Sequence, residues 1–231
     1  MSAFAPDDSP TPGARHVAII ADGNGRWARA RGLSAGEGYN AGADTLKARL
    51  RDAVELGIEQ LTVYSFSTEN WSRPVAEVRQ LICVLARRIT AEAPELHRHD
   101  VRIRFIGRRE RVERELLEAI TTAEAMTAEN RLITLFVALN YGGRAEIVDA
   151  AGRFEGDSEE QFRRCLYAPD LRDPDLIIRT GGERRLSNFL LWQSAYSELV
   201  FSDELWPDFT RAALERALAE YGARRRRFGG R

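Results

Sequence analysis

Cysteine is scarce in this chain, with only Cys83 and Cys165 in 231 residues. Two thiols cannot build a disulfide framework or a zinc-ligand spacing. Both sit in stretches that read as helical and partly apolar, and both are expected to be buried thiols. Histidine numbers three; His97 and His99, in HRHD, look like a metal pair but are expected to cap a helix C-terminus. No apolar run approaches the ~20 residues of a membrane span. The opening MSAFAPDDSPTPGAR lacks the apolar stretch of a secretory signal. Neither sign of charge dominates: 34 Lys and Arg stand against 35 Asp and Glu, a net charge of −1. Nothing global therefore draws the chain to nucleic acid or anionic lipid. The expectation is a cytoplasmic protein with no nucleic-acid partner and no stable membrane insertion. Any cationic function must come from locally placed arginines.

What is present is an ordinary globular composition, 44% apolar and 30% charged. The length suits one catalytic domain over 15–223, with a disordered leader at 1–14 and a basic tail at 224–231. Short apolar runs alternate with amphipathic stretches. His16–Ile20 (HVAII), 61–66 (LTVYSF), 101–106 (VRIRFI), 132–139 (LITLFVAL), 176–178 and 199–201 read as strands. Strict alternation in 101–106 points to a sheet edge, and the near-continuous apolar run 132–139 to a central position. Helices are expected over 41–56, stopped by Gly57, and over 74–96, with Pro74 in the first turn. Further helices are expected over 110–126, 145–151, 187–195 and 210–221. About six alternations predict the α/β class: an open, mostly parallel sheet surrounded by helices. Ligands in such sheets bind beyond the carboxyl ends of the strands.

Three of those ends carry unusual chemistry. After the first strand comes Asp22-Gly23-Asn24-Gly25-Arg26-Trp27. Its glycines allow close backbone approach, the helix that should follow offers free N–H groups to a phosphate, and Asp22 is a hard oxygen donor of the kind magnesium uses. A tight turn with Asp22 as a helix cap is the plain alternative. After the second strand, Ser67-Thr68-Glu69-Asn70-Trp71-Ser72-Arg73 is dense in hydrogen-bonding groups, though a capping segment would look similar. After residues 176–178, Arg179, Arg185 and Ser187 surround a glycine pair and could grip a diphosphate; a solvated loop is the alternative. Three such loops after three strands make coincidence a poor explanation. Two phosphate sites and a metal carboxylate suggest a reaction between two diphosphates. No P-loop supports a nucleotide triphosphatase, and no DDxxD pair supports a trans-type prenyl synthase.

The blocks HVAIIADGNGRWA (16–28), FSTENWSRP (66–74), LNYGGRAEIV (139–148), DLIIRTGGERRLSNFLLWQSAYSEL (175–199), LWPDF (205–209) and RRFGG (226–230) resemble, in order, the signatures of the cis-prenyltransferase family. The resemblance runs from about His16 to the end. It implies a homodimer with a parallel sheet, a hydrophobic tunnel, Mg2+ as cofactor, and small isoprenyl diphosphates as substrates. By motif, Asp22, Asn24 and Asn70 would be catalytic, with Asp22 binding magnesium. Gly23, Gly25, Arg26, Trp27 and Tyr39 would serve the allylic diphosphate. Ser67, Glu69, Trp71 and Arg73 would organise the substrates, and Arg179, Arg185 and Ser187 would bind the second diphosphate. Glu198 would be a second metal ligand within reach of the other subunit's site, and the RRFGG tail would cross likewise.

The chain also departs from that pattern. Ala35 and Tyr39 stand where the family usually has an arginine and a histidine, Ala21 replaces a methionine, and the segment 153–173 is short. Phe136 and Leu139 are bulky, and Arg87 and Arg88 interrupt the helix expected to wall the tunnel. These features favour a short or irregular product, such as a head-to-middle, lavandulyl-like one. A regular long-chain polyprenyl diphosphate is the alternative. A non-catalytic partner subunit is a third reading, set against the intact loop from Asp22 to Arg26.

Overall fold

A computed structural model describes residues 13–224. In chain order its elements are β1 (His16–Ile20), α1 (Asn24–Ala30), α2 (Ala35–Glu55), β2 (Gln60–Ser67), a 3₁₀ turn (Thr68–Ser72), α3 (Val75–Arg98), β3 (Val101–Ile106), α4 (Arg114–Met126), β4 (Ile133–Tyr141), α5 (Gly143–Ala151), α6 (Glu159–Arg163), β5 (Leu176–Arg179), β6 (Glu198–Phe201), a second 3₁₀ turn (Trp206–Asp208) and α7 (Arg211–Ala223). The six strands form one parallel sheet in the order β3-β4-β2-β1-β5-β6. Strand β1 is buried along its whole length, as a strand covered on both faces must be.

On one face, Val17, Ile19, Leu61 and Val63 meet Leu50 and Ala53 of α2, Leu81 and Ile82 of α3, and Leu116 and Ile120 of α4. On the other, Ala18, Ile20, Tyr64 and Phe136 pack against Leu171, Phe189 and Leu190. The edge position of β3 agrees with its alternation: Val101, Ile103 and Phe105 are buried, while Arg104 reaches out to Asp170 at 2.7 Å. Strand β4 is paired on both sides but lies second from the edge rather than at the centre. Of the expected leader, Ala14 belongs to the core. Of the tail, Arg224 pairs with Glu198 and Glu220. The rest of both segments, with RRFGG, lies outside the described residues.

Three expectations are corrected. Helix α2 begins at Ala35, not at 41, because Ser34 and Glu37 form a reciprocal capping box whose bonds precede the first apolar position. Residues 187–195 form turns instead of a helix: Ser187, Asn188 and Leu190 adopt φ of 49°, 67° and 44°, a left-handed backbone that cannot propagate a right-handed helix. Cys83 is exposed and Cys165 half-buried. The apolar neighbours of Cys83, namely Leu81, Ile82 and Val84, take the core-facing positions of α3 and leave Cys83 on the outer side. His97 and His99 occupy the last turn and the C-cap of α3.

The third histidine, His16, is wholly buried at the start of β1. Its Nδ1 lies 2.7 Å from the Arg172 carbonyl and its Nε2 2.8 Å from the Thr62 hydroxyl. Burial holds its pKa down at about 4. The folded chain thus refuses a proton that the unfolded chain accepts below pH 6.5. Stability should fall as pH drops from about 6.5 towards 4, by about 3 kcal/mol in full. Urea midpoints across that range should show this early slope in the parent and lose it in His16→Gln. An identical slope in both would refute the assignment.

Candidate active site

The carboxyl ends of β1, β2 and β5 open into a cavity of about 740 Å³. The Asp22 amide donates to the Ile20 carbonyl and the Thr180 hydroxyl, which fixes the residue as β1 ends. Its carboxylate faces two cations: Oδ2 lies 2.9 Å from Nη2 of Arg179, and Oδ1 lies 3.2 Å from Nη2 of Arg26. Asp22 is not a helix cap, because Gly23 occupies the N-cap of α1 and no side chain caps it. Gly23 has φ 116°, and a Cβ there would stand 2.8 Å from Leu205, so only glycine suits the turn. Among the described residues, a Cβ at Gly25 would meet nothing within 4 Å, so this glycine leaves open space beside the backbone.

Asn24, the first residue of α1, packs closely against α2. Its Oδ1 is buried without a hydrogen-bond partner among the described residues, yet the residue lines the cavity. A Cβ at Gly42 would stand 2.3 Å from that oxygen. Gly42→Ala is therefore expected to rotate Asn24 and lower turnover about tenfold or more, since an ångström of misplacement is that costly, while the unfolding midpoint moves little. Unchanged turnover would show that the Asn24 position does not matter.

Arg179 organises the opposite wall. Its side chain is 5% exposed. Nη1 donates to the Arg185 carbonyl and the Ser187 hydroxyl, both at 2.6 Å, while Nε has no partner among the described residues. The β1 and β5 loops are thus joined through one buried guanidinium. Arg185 itself is solvent-facing and pairs with Glu183. From the third loop, Asn70 closes a turn by accepting from the Ser67 amide at 3.0 Å, and Glu69 accepts from Asn188 at 2.8 Å. At the rim, Arg73 donates to the Tyr39 hydroxyl at 2.8 Å and to Glu77 at 3.0 Å. Burial raises the Tyr39 phenol to about 12, so it stays a neutral donor where a histidine would titrate.

Most of the residues singled out in sequence line this one cavity; three do not. Trp27 lies outside its lining, bonded to Asp208 at 2.7 Å under the Arg31 guanidinium. Trp71 bonds to Asn140 at 2.7 Å, packs edge-on against Phe66 and carries Arg111 over its ring. Glu198 pairs with Arg224 at 2.7 Å and sits at the amino end of β6 in register with Leu176, whereas Asp22 lies two residues beyond Ile20, the residue paired with Arg179. That is on the order of 10 Å along the strand direction, so one chain does not bring the two carboxylates together. Conversely, Arg29, Glu77 and Asn188 line the cavity without having been singled out. Arg29 and Glu77 lie one helical turn beyond Arg26 and Arg73, and that spacing is the signal that could have found them. Among the described residues no three His, Cys, Asp or Glu side chains cluster as a metal site. A hard cation beside Asp22 would take its remaining oxygens from a diphosphate and water, a common arrangement for magnesium.

A smaller apolar slot of about 80 Å³ runs between α2, α3 and the sheet, sharing Ala21, Asn24, Tyr39 and Tyr64 with the large cavity. Arg88 lines it. Arg87 is exposed, Phe136 packs on the opposite face of the sheet, and Leu139 lies in the core outside the slot. Of the four residues thought to restrict a tunnel, only Arg88 is placed to do so.

The model of the family described as "Putative undecaprenyl diphosphate synthase" matches residues 20–229. Isoprenyl transferase 2 of Bradyrhizobium diazoefficiens is 50% identical, over 97% of this chain and 93% of its own. Lavandulyl diphosphate synthase of Lavandula x intermedia, crystallised with dimethylallyl diphosphate, superposes with a TM-score of 0.89 at 36% identity, over 94% of this chain and 98% of that one. A probable undecaprenyl diphosphate synthase from Campylobacter jejuni gives 0.82 at 33% identity, over 95% and 100%. Two independent comparisons, of sequence and of fold, thus converge on the chemistry that the three loops suggested: the chain is a prenyltransferase and belongs to the undecaprenyl diphosphate synthase family of cis-prenyltransferases.

Proposed function

We propose that the protein condenses an allylic diphosphate with a second five-carbon diphosphate and makes a short product. The carrying observation is the run Arg26–Asp22–Arg179–Ser187 along the wall of a cavity that continues into an apolar slot. In the reaction the allylic carbon–oxygen bond breaks and its electron pair leaves on the diphosphate. The double bond of the second substrate forms the new carbon–carbon bond, and a proton is then lost. Arg26 and the open backbone at Gly25 hold the leaving diphosphate. Arg179, Arg185 and Ser187 hold the second substrate, with Arg179 fixed by Asp22 before any ligand arrives. Such preorganised donors stabilise developing charge without rearranging at the moment of reaction. The unpartnered Oδ1 of Asn24 is an acceptor at the mouth of the slot, suited to receive a hydrogen bond as the proton departs. Magnesium held by Asp22 would supply Lewis-acid neutralisation of the diphosphate. A homodimer belongs to the same reading, with Glu198 on the edge strand β6 offering its carboxylate across the subunit boundary.

The small slot supports a short product over a long polyprenyl one. Head-to-middle joining is a second reading, favoured by the likeness to a lavandulyl diphosphate synthase bound to dimethylallyl diphosphate. The test is to incubate the protein and magnesium with dimethylallyl, geranyl or farnesyl diphosphate, with and without isopentenyl diphosphate. Growth by five-carbon units only when isopentenyl diphosphate is present supports regular condensation. A branched product from dimethylallyl diphosphate alone supports the second reading, and no product from any pair defeats both.

A further inference from the structure

Asn188 stands next to Ser187 in the loop after β5 and uses both ends of its amide. Its Oδ1 accepts from the Arg144 amide at 2.8 Å, and its own carbonyl accepts from the Gly143 amide at 2.7 Å. These bonds satisfy N–H groups in the first turn of α5. Its Nδ2 donates to Oε1 of Glu69 at 2.8 Å. The partners fix which way the amide points: a main-chain N–H faces the oxygen, and a carboxylate faces the nitrogen. Burial pushes the Glu69 carboxyl up, but hydrogen bonds from Asn188, its own amide, Ser67 and Thr68 outweigh it, and its pKa lies below the usual carboxylate value. Glu69 is therefore an ionised acceptor at neutral pH, and the bond from Asn188 is charge-assisted.

This contact joins two walls of the cavity. Glu69 and Asn70 belong to the 3₁₀ turn after β2, while Arg185, Ser187 and Asn188 belong to the loop after β5. Both Glu69 and Asn188 line the cavity. The turn is also tied to β4, through Trp71 and Asn140 at 2.7 Å, but that bond does not reach the loop after β5. Gly142, just past the end of β4, sits beside the bridge. A Cβ there would stand 2.7 Å from Nδ2 of Asn188 and 2.6 Å from Oγ1 of Thr68. The missing side chain is what lets the two loops meet.

We infer that Asn188 is a positioning residue for the reaction: through Glu69 it holds the turn that bears Asn70 at a fixed distance from the loop that bears Arg185 and Ser187. The inference rests on the diphosphate-condensing reading of this cavity. A residue that merely capped α5 would support stability and leave turnover alone.

Asn188→Asp separates the two roles. The aspartate keeps an oxygen for the Arg144 amide, tolerates the left-handed φ of 67° and suits a helix N-terminus, so the unfolding midpoint should hold or rise. It also sets a second carboxylate against Glu69 and so opens the bridge. The substrates are whichever of dimethylallyl, geranyl or farnesyl diphosphate, with or without isopentenyl diphosphate, the parent turns over. On these, kcat should fall at least about tenfold, since an ångström of displacement is that costly. KM for the second diphosphate, still gripped by Arg179 and Ser187, should change little. Amide hydrogen exchange over 67–73 should quicken. In a Glu69→Gln background, whose side chain can donate to the new carboxylate, the same substitution should cost no more than about twofold, within the spread of additive effects. Gly142→Ala, which pushes Nδ2 aside while leaving Asn188 itself unaltered, should lower kcat likewise and serves if Asn188→Asp folds poorly. Unchanged turnover, unaltered exchange over 67–73, or a loss that Glu69→Gln does not relieve each overturns the inference and leaves the reading of the cavity standing. If the parent turns over none of these substrates, that reading falls and the inference with it.

Discussion

Asp22→Asn is expected to lower turnover by about a thousandfold or more, with a much smaller change in the affinity for diphosphates. The amide keeps an oxygen towards Arg179 and a similar shape, so the wall of the cavity persists. What it loses is the negative charge that would hold magnesium against the leaving group, an interaction that matters most as charge develops. Asparagine is a better probe than alanine here. Alanine would leave the nearly buried Arg179 with no acceptor at all on that side, and the loss of activity would mix with a larger loss of structure. Steady-state kinetics with a urea unfolding curve on the same preparation check the expectation. Turnover within tenfold of the parent, on an unaltered fold, would remove Asp22 from the chemistry.

The second large effect is expected at Arg179. Arg179→Met should reduce kcat/KM for the second diphosphate at least a hundredfold and cost about 2 kcal/mol of stability. That figure lies below the range for breaking a fully buried pair, because the Asp22 side chain left behind is 31% exposed and water screens it. Arg185→Met provides the contrast. Its side chain is 61% exposed and pairs with a neighbouring surface glutamate, so KM should rise with no measurable shift in the unfolding midpoint. The pair of variants asks whether Arg179 both builds and binds. If Arg179→Met unfolds at the parent's urea concentration, the guanidinium does not hold the two loops together. If its kcat/KM is unchanged, the guanidinium does not bind substrate.

Much of the architecture was legible because strand signals in a doubly covered sheet are strong. HVAII admits no helical amphipathy, and β1 spans the five residues expected. The loops after β1, β2 and β5 were legible for a related reason: a parallel sheet delivers every strand's carboxyl end to the same side, so chemistry that follows separate strands converges. Where a local hydrogen-bonding motif outranked hydrophobic spacing, the reading slipped. The start of α2 was set by Ser34 and Glu37, residues that carry no apolar signal. The segment 187–195 looked helical, yet its apolar Phe189 and Leu190 are spent filling the second face of the sheet, and Asn188 is spent capping the start of α5 and holding Glu69.

Sequence alone therefore determined the family, the parallel sheet and the chemistry of three loops, because ordered blocks and strand-end motifs are local in the chain. Only tertiary structure decided which side chains face the cavity. Trp27 and Trp71 stand in the same motifs as Asp22 and Asn70, but their indoles bond outward to Asp208 and Asn140. Glu198 is separated from Asp22 by the length of a strand. Phe136 and Arg88 raised the same expectation of a short slot. The pleat sends Phe136 to the far face of the sheet, while the helix phase of α3 turns Arg88 into the slot. Facing is a property of register and helix phase between elements distant in sequence, and residue type along the chain does not encode it.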